Sequence, residues 1–464
     1  MKIMEEQTNG LRRQIGFFSA TILVVANMIG TGIFTTSGFI IEELGGPGAM
    51  LLCWVTGGIF ALSGALCYGE LGAMYPLAGG EYVYLREAFG RPMAFLSGWI
   101  SLIVGFSAPI AAASIAFATY FFRAFPALLR GDGNLHFFEG MGITISPISL
   151  AALAVIILFS LVHSYSLWFG SRVQNVLTIF KFTLITGFVI AGLFLGKGAM
   201  PELVNGPSLS LAFSGKFAVS LIFVSFAYSG WNAASYLGSE IKDPGRNIPL
   251  ALVVGTFVVI VLYLLLNLTY IFALPLDKMS GVLEIGTMAA ISLFGENVSH
   301  WVSGAIAIGL LSVISAMILA GPRVYYAMAR DGAFVDGLAR LKGRHQTPAY
   351  SIMLQGLLAI AMVLTASFDE LLIYIGFTLS LFAMLTVCGL LLIRKRKNAP
   401  VAAYRTWGYP VTPLIFIAGN LWIIYYSIMI KPLVSAVGLL TIGIGILIYL
   451  LIKRLHATEN RGRK

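Results

Sequence analysis

The sequence predicts an all-α polytopic membrane protein of twelve transmembrane helices, and three observations carry that reading. The chain has 464 residues, of which 58% are hydrophobic and only 11% charged, with a mean hydropathy of +0.89. A soluble protein carries about 25% charged residues. Its apolar runs repeatedly reach the ~20 residues that cross a ~30 Å hydrocarbon core. The basic residues are also one-sided. With the N-terminus in the cytoplasm, only Arg123, Arg130, Lys197, Lys216, Lys278 and Lys431 of the 30 Lys and Arg fall outside, and Lys181 falls within a span. The run Arg394–Lys397, Arg12, Arg13, Lys453 and Arg454 all lie inside, which places both termini in the cytoplasm. The net charge of +10 therefore reads as membrane topology rather than as a nucleic-acid footprint.

Twelve spans are expected near 17–41, 48–75, 93–122, 148–166, 172–196, 213–241, 248–274, 299–329, 349–367, 370–393, 411–430 and 433–452. A short tail, 1–15, precedes the first. That span is about 25 residues long, well beyond the 7–15-residue core of a cleavable signal peptide, so it reads as a retained helix. Its middle holds Gly30-Thr31-Gly32. Each Gly costs a helix about 1 kcal/mol relative to Ala, and backbone freed at membrane depth is tolerated only where it lines a cavity or is buried in protein. The break marks a candidate binding site.

Span two ends in a block from Tyr68 to Tyr82, where Pro76 stops the helix and Gly79-Gly80 turns the chain. This block is either a plain cytoplasmic connector or a moving inner gate in which Glu70 or Glu81 pairs with arginines. Span three is rich in small residues, which usually serve helix packing; Ser107 and Ala108, beside Pro109, are also placed to face a cavity. Span five carries Lys181, nine residues beyond Arg172 and so roughly 13 Å deep. An ammonium at a helix centre costs about 2.5–3.5 kcal/mol, so Lys181 is either held by backbone carbonyls as a structural element or functional. Span six holds a second break at Ser229-Gly230, and span eight holds Ser312 and Ser315. Spans eleven and twelve lack breaks and buried charges and read as peripheral or oligomerising.

The breaks lie five spans apart. Five is odd, so the second five-span unit enters the membrane in the opposite sense, the pattern of inverted-repeat carriers whose substrate binds near the midplane. The chain divides accordingly into the tail 1–15, a first repeat 16–196, a second inverted repeat 197–398, two further helices in 399–453, and a C-terminal tail 454–464.

The segments IGTGIF, GELGAMYPLAGGEYVYLREAFG, FAYSGWNAASYLGSEIKDPGRNIPLAL and GPRVYYAMARDG resemble the amino acid permeases of the amino acid–polyamine–organocation superfamily. VQNVLTIFK and FAYSGWN point to the L-amino acid transporter branch. The resemblance spans about residues 15–400 and implies a LeuT-type fold of five plus five helices with two more at the C-terminus.

Physics and resemblance place the same groups at the site. Where span one resumes, the N–H groups of Thr31, Gly32 and Ile33 form a helix N-terminus suited to an α-carboxylate. Carbonyls freed at Met28, Phe226 and Ser229 suit an α-ammonium, and Phe226 is placed to cover the substrate. Val104, Ser107, Ala108, Asn232 and Tyr374 are candidates for the side-chain pocket. No Asp or Glu lies mid-span, so a cationic side chain would lack a counter-charge and neutral substrates are favoured. The resemblance places Lys181 beside spans one and eight, donating to carbonyls of the first break and to Ser312 or Ser315, as a sodium ion does in related carriers. That favours sodium-independent exchange; a Lys181 that releases its proton would suit proton symport instead.

A transport-inactive amino acid sensor is the reading from another class. An enzyme is not expected: His163 is the only mid-chain histidine within a span, lies near the span's end, and has no nucleophile motif or metal-ligand spacing around it. No metal or cofactor site is expected either. Cys53, Cys67 and Cys388 all lie in spans. The cysteine-linked glycoprotein partner of the family's eukaryotic members is therefore not expected, and a bacterial inner-membrane carrier acting alone fits better.

Overall fold

An interrupted helix begins the membrane part of the chain. In this computed structural model, which describes residues 11–129, 146–196, 198, 211, 214–282, 284–341, 346–365, 368–430 and 432–462, α1 (Phe17–Met28) and α2 (Gly32–Leu44) are bent by 42° across the break at 29–31. Gly45, in the left-handed region, ends α2, and α3 (Pro47–Met74) starts on a proline whose missing N–H suits a first turn. The connector helix α4 (Glu81–Phe89) follows, then the long α5 (Arg91–Ala124), which contains a π-helical segment at Ser101–Ser107. Next come α6 (Pro147–Tyr165), α7 (Leu167–Leu195) and α8 (Gly215–Ala227). Each is N-capped by a serine hydroxyl, from Ser146, Ser166 and Ser214 respectively. The chain continues through α9 (Pro244–Ala273), α10 (Ile285–Phe294), α11 (Ser299–Ala320), α12 (Pro322–Arg330), α13 (Ala349–Thr365), α14 (Phe368–Arg394), α15 (Val411–Ile430) and α16 (Pro432–Gly462).

Among the described residues, nine helical stretches are long and apolar enough to cross a membrane, ten if α1 and α2 count as one. The chain is thus a multi-pass membrane protein. α8 and α13 fall where the sequence places spans six and nine, but they have only 13 and 17 residues. Thirteen residues rise only ~20 Å, short of a ~30 Å core, because the second break cuts that span at its middle.

The helices of the first half pack on those five spans later: α2 on α8, α3 on α9, α5 on α11 and α6 on α13. α7 lies against α1 and α11. One expectation is corrected here. α15 is not peripheral: it packs on α3, α8 and α14, and Phe416, Asn420 and Ile423 on it line the central cavity. A helix without breaks or charges gives no sign in sequence of which neighbours it will meet.

Candidate functional site

The two breaks meet, and each is shaped to the other. A Cβ on Gly32 would stand 2.6 Å from the Ala227 Cα, so only glycine lets α2 start against the end of α8. Gly230 has φ +93°, and a Cβ there would stand 2.8 Å from the backbone carbon of Asn27. The Tyr263 hydroxyl contacts one carbonyl from each break, at 2.6 Å from the Met28 O and 3.1 Å from the Ala227 O. Tyr263 is fully buried on α9, edge-on to Trp54. With one proton to donate, the hydroxyl serves the Met28 carbonyl at the shorter distance and shares with the Ala227 carbonyl, and a buried carbonyl left unpaired would cost about 1–3 kcal/mol.

Lys181 completes the first break. Its Nζ donates to the Ala26 O at 3.2 Å and the Ile29 O at 2.5 Å, and the residue is 1% exposed. Gly309 on α11 leaves room for its stem, since a Cβ there would lie 3.3 Å from the lysine Cγ. The two serines expected beside it are placed otherwise. Ser315 hydrogen-bonds His163 Nε2 at 2.8 Å, and the buried Ser312 hydroxyl has no partner among the described residues.

Beside the breaks is a cavity of about 100 Å³, bounded by α1, α3, α5, the second break, α14 and α15. Phe226, Ser229 and Asn232 line it, with Asn27 and Trp231. Met28, Thr31, Gly32 and Ile33 are buried and do not line it. On α5 the cavity wall is Ser101, Gly105, Phe106 and Pro109, while Val104, Ser107 and Ala108 are buried in packing. Ser101, Gly105 and Pro109 are four residues apart and so share one face of α5, beside the face that carries Val104, Ser107 and Ala108. The side chain of Tyr374 lies outside the described residues.

Sequence reasoning missed one wall of the cavity. Glu81, at the start of α4, reaches it from the connector: its Oε1 accepts from Tyr68 OH at 2.7 Å and Asn232 Nδ2 at 2.8 Å. Burial pushes its carboxyl up to about 7, against the downward pull of those two hydrogen bonds. A scan for acidic residues inside spans overlooks a connector that re-enters the bundle. The signal was the Gly79-Gly80 pair, both with positive φ, which folds the connector back.

The end of the bundle that carries the N-terminal tail is closed. Gln14 and Ile15 N–H donate to the Glu240 O at 2.8 and 2.9 Å, and Lys242 N–H to the Ile15 O at 2.9 Å. Arg323 grips the Glu240 carboxylate with two hydrogen bonds, at 3.1 and 3.0 Å, both side chains 1% exposed. Arg394 does the same with Glu70, and Arg86 pairs with Asp331, which also accepts from Tyr82 OH. Of the two acidic residues considered for an inner gate, Glu70 therefore has an arginine partner and Glu81 has none among the described residues. Toward the other end, the Phe39 and Phe223 rings stack at 5.7 Å.

Two interrupted helices meeting beside a closed-ended central cavity, in a multi-pass helical bundle, define a membrane carrier. The chain belongs to the amino acid permease family, whose model matches residues 15–452, within the amino acid–polyamine–organocation superfamily. It is 30% identical to the b(0,+)-type amino acid transporter 1 of Mus musculus, over 92% of this chain and 85% of that one. It is 28% identical to the serine/threonine exchanger SteT of Bacillus subtilis, over 98% of this chain and the whole of that one. It is also 28% identical to the large neutral amino acids transporter small subunit 2 of Mus musculus, over 95% and 81%. The protein is an amino acid transporter and not an enzyme.

Proposed function

We propose that the chain exchanges neutral L-amino acids across the cell membrane by alternating access, independently of sodium. The observation that carries this reading is the meeting of the two breaks beside a cavity whose wall is mostly apolar and neutral polar. Thr31, Gly32 and Ile33 N–H groups would hold the carboxylate once α2 moves off Ala227, with the Ser229 carbonyl facing the ammonium and Phe226 covering the substrate; the Met28 and Phe226 carbonyls would join Ser229 only when released from Tyr263 OH and Ser229 N–H. Asn232 lines the space for the side chain, Val104, Ser107 and Ala108 back the α5 wall from within the packing, and Tyr374 is proposed beside them. Lys181, held by the Ala26 and Ile29 carbonyls, supports sodium independence, because an amine donor already occupies the carbonyls freed at the first break. Ser312 and Ser315 lie on the same helix as Gly309, which faces Lys181.

The pairing of helices five spans apart supports a LeuT-type inverted repeat, 16–196 and 197–398, followed by two helices in 399–453 and flanked by tails 1–15 and 454–464. Counting α8 with its continuation after the break, and α13, gives twelve spans. The distribution of basic residues supports cytoplasmic termini in a bacterial inner membrane, and the closed tail end is then the cytoplasmic one. All three cysteines lie within α3 and α14, which favours a carrier without a covalently attached heavy chain. The test is efflux of a preloaded radiolabelled neutral amino acid from proteoliposomes. Efflux should require external amino acid and ignore sodium; equal efflux into amino-acid-free buffer would refute exchange.

A further inference from the structure

Three carboxylates in the described bundle are almost completely buried: Glu70, Glu81 and Glu240. Two have guanidinium partners, Arg394 and Arg323. Among the described residues the third has none: there Glu81 is held only by Tyr68 OH and Asn232 Nδ2, both on its Oε1. The ionisable groups that face it are the hydroxyls of Tyr68 on α3, Tyr84 on its own helix and Tyr236 beyond the second break. No lysine, arginine or histidine is within ion-pair distance among the described residues. An ionised carboxylate left so is costly to bury, and the cost is relieved by a cation that brings its own charge.

Glu81 lies on the cavity wall, and Asn232, its partner, is two residues from Gly230 in the second break. An amino acid bound at the breaks therefore directs its side chain into a space bounded by this carboxylate. We propose that Glu81 is a specificity-determining residue that admits amino acids with a cationic side chain to the same site, by pairing with the side-chain ammonium or guanidinium. This deepens the transport reading above and rests on it. It also qualifies the preference for neutral substrates, which assumed that no acidic group reaches the pocket.

The carboxyl's position near 7 makes the selectivity depend on pH. Protonated, Glu81 is a neutral wall and cationic side chains gain nothing from it; ionised, it pairs with them. Between pH 6 and pH 8 the ionised fraction of a group titrating at about 7 rises from about 9% to about 91%, whereas a lysine side chain stays charged throughout.

The experiment uses the full chain in proteoliposomes, with equal pH on both sides, and measures inhibition of radiolabelled leucine exchange by lysine and by norleucine. These two share a straight side chain and differ in the terminal ammonium. The lysine-to-norleucine ratio of half-inhibitory concentrations should fall about tenfold from pH 6 to pH 8, and in Glu81→Gln it should stay high and flat. A flat ratio in the wild type overturns the proposal, as does a Glu81→Gln variant that keeps the wild-type slope. An equal loss of lysine and norleucine inhibition in Glu81→Gln would put Glu81 on the shared α-ammonium and also overturn it. The wild-type measurement needs no variant to fold. Absence of leucine exchange itself would refute the transport reading, whereas leucine exchange with a flat ratio refutes only the role of Glu81.

Discussion

Replacing Lys181 by methionine isolates what its ammonium does. Methionine keeps a long unbranched stem beside Gly309 but carries no donor, so the Ala26 and Ile29 carbonyls lose their partner. Each buried carbonyl left unpaired costs about 1–3 kcal/mol, so the two together cost about 2–6 kcal/mol. At about 1.4 kcal/mol per tenfold, that shifts the equilibrium constant between the native break and its alternatives by about 30-fold to 10⁴-fold. Exchange of a radiolabelled neutral amino acid, normalised to the amount of folded protein recovered after gel filtration in detergent, should drop, by no more than that factor. The melting midpoint followed by tryptophan fluorescence should fall as well. Lys181→Met exchanging at the wild-type rate with an unchanged midpoint would refute the reasoning, because the break would then not need its ammonium.

Tyr263→Phe removes the hydroxyl that contacts one carbonyl from each break; it should cost about 1–3 kcal/mol, seen as a lower midpoint and slower exchange. Gly32→Ala puts a methyl group against the backbone of Ala227; overpacking of about 1–3 kcal/mol should reduce exchange more than it reduces recovery of folded protein, as read by transport per recovered mole. Arg323→Ala leaves Glu240 buried and unpaired, which costs about 3–5 kcal/mol. Labelling of a cysteine introduced at the tail end should then become faster than in the parent, and an unchanged rate would remove this pair from closure of that end.

Much of the bundle was legible because lipid imposes a simple rule: long apolar runs, with charges at their ends. Both breaks were legible for the same reason, since Gly30, Gly32 and Gly230 stand out in otherwise strong helices. Lys181 stood out by its depth, and the family resemblance set it beside the carbonyls of the first break. What sequence did not reveal depends on how neighbours meet. The cavity wall on α5 is Ser101, Gly105, Phe106 and Pro109 rather than Val104, Ser107 and Ala108, because a helix with small residues on several sides does not reveal in its sequence which face meets the cavity. The Tyr263 bridge was hidden because one tyrosine in an apolar helix looks like any other until its hydroxyl meets two carbonyls. Glu81 was hidden because a connector was read as lying outside the bundle. α15 was hidden because a featureless span does not reveal its neighbours.

The break in the first span is completed by residues that come much later in the chain. The Ile29 carbonyl waits for Lys181, and the Met28 carbonyl for Tyr263. During synthesis the N-terminal helix therefore enters the bilayer before either donor has left the ribosome. Until then its freed carbonyls must borrow hydrogen bonds from water, lipid head groups or an insertion factor, or the segment must remain a continuous helix. Its native bend is thus a late event in biogenesis, and a chain truncated before residue 263 should hold the first span in a different shape from the one it has in the finished protein.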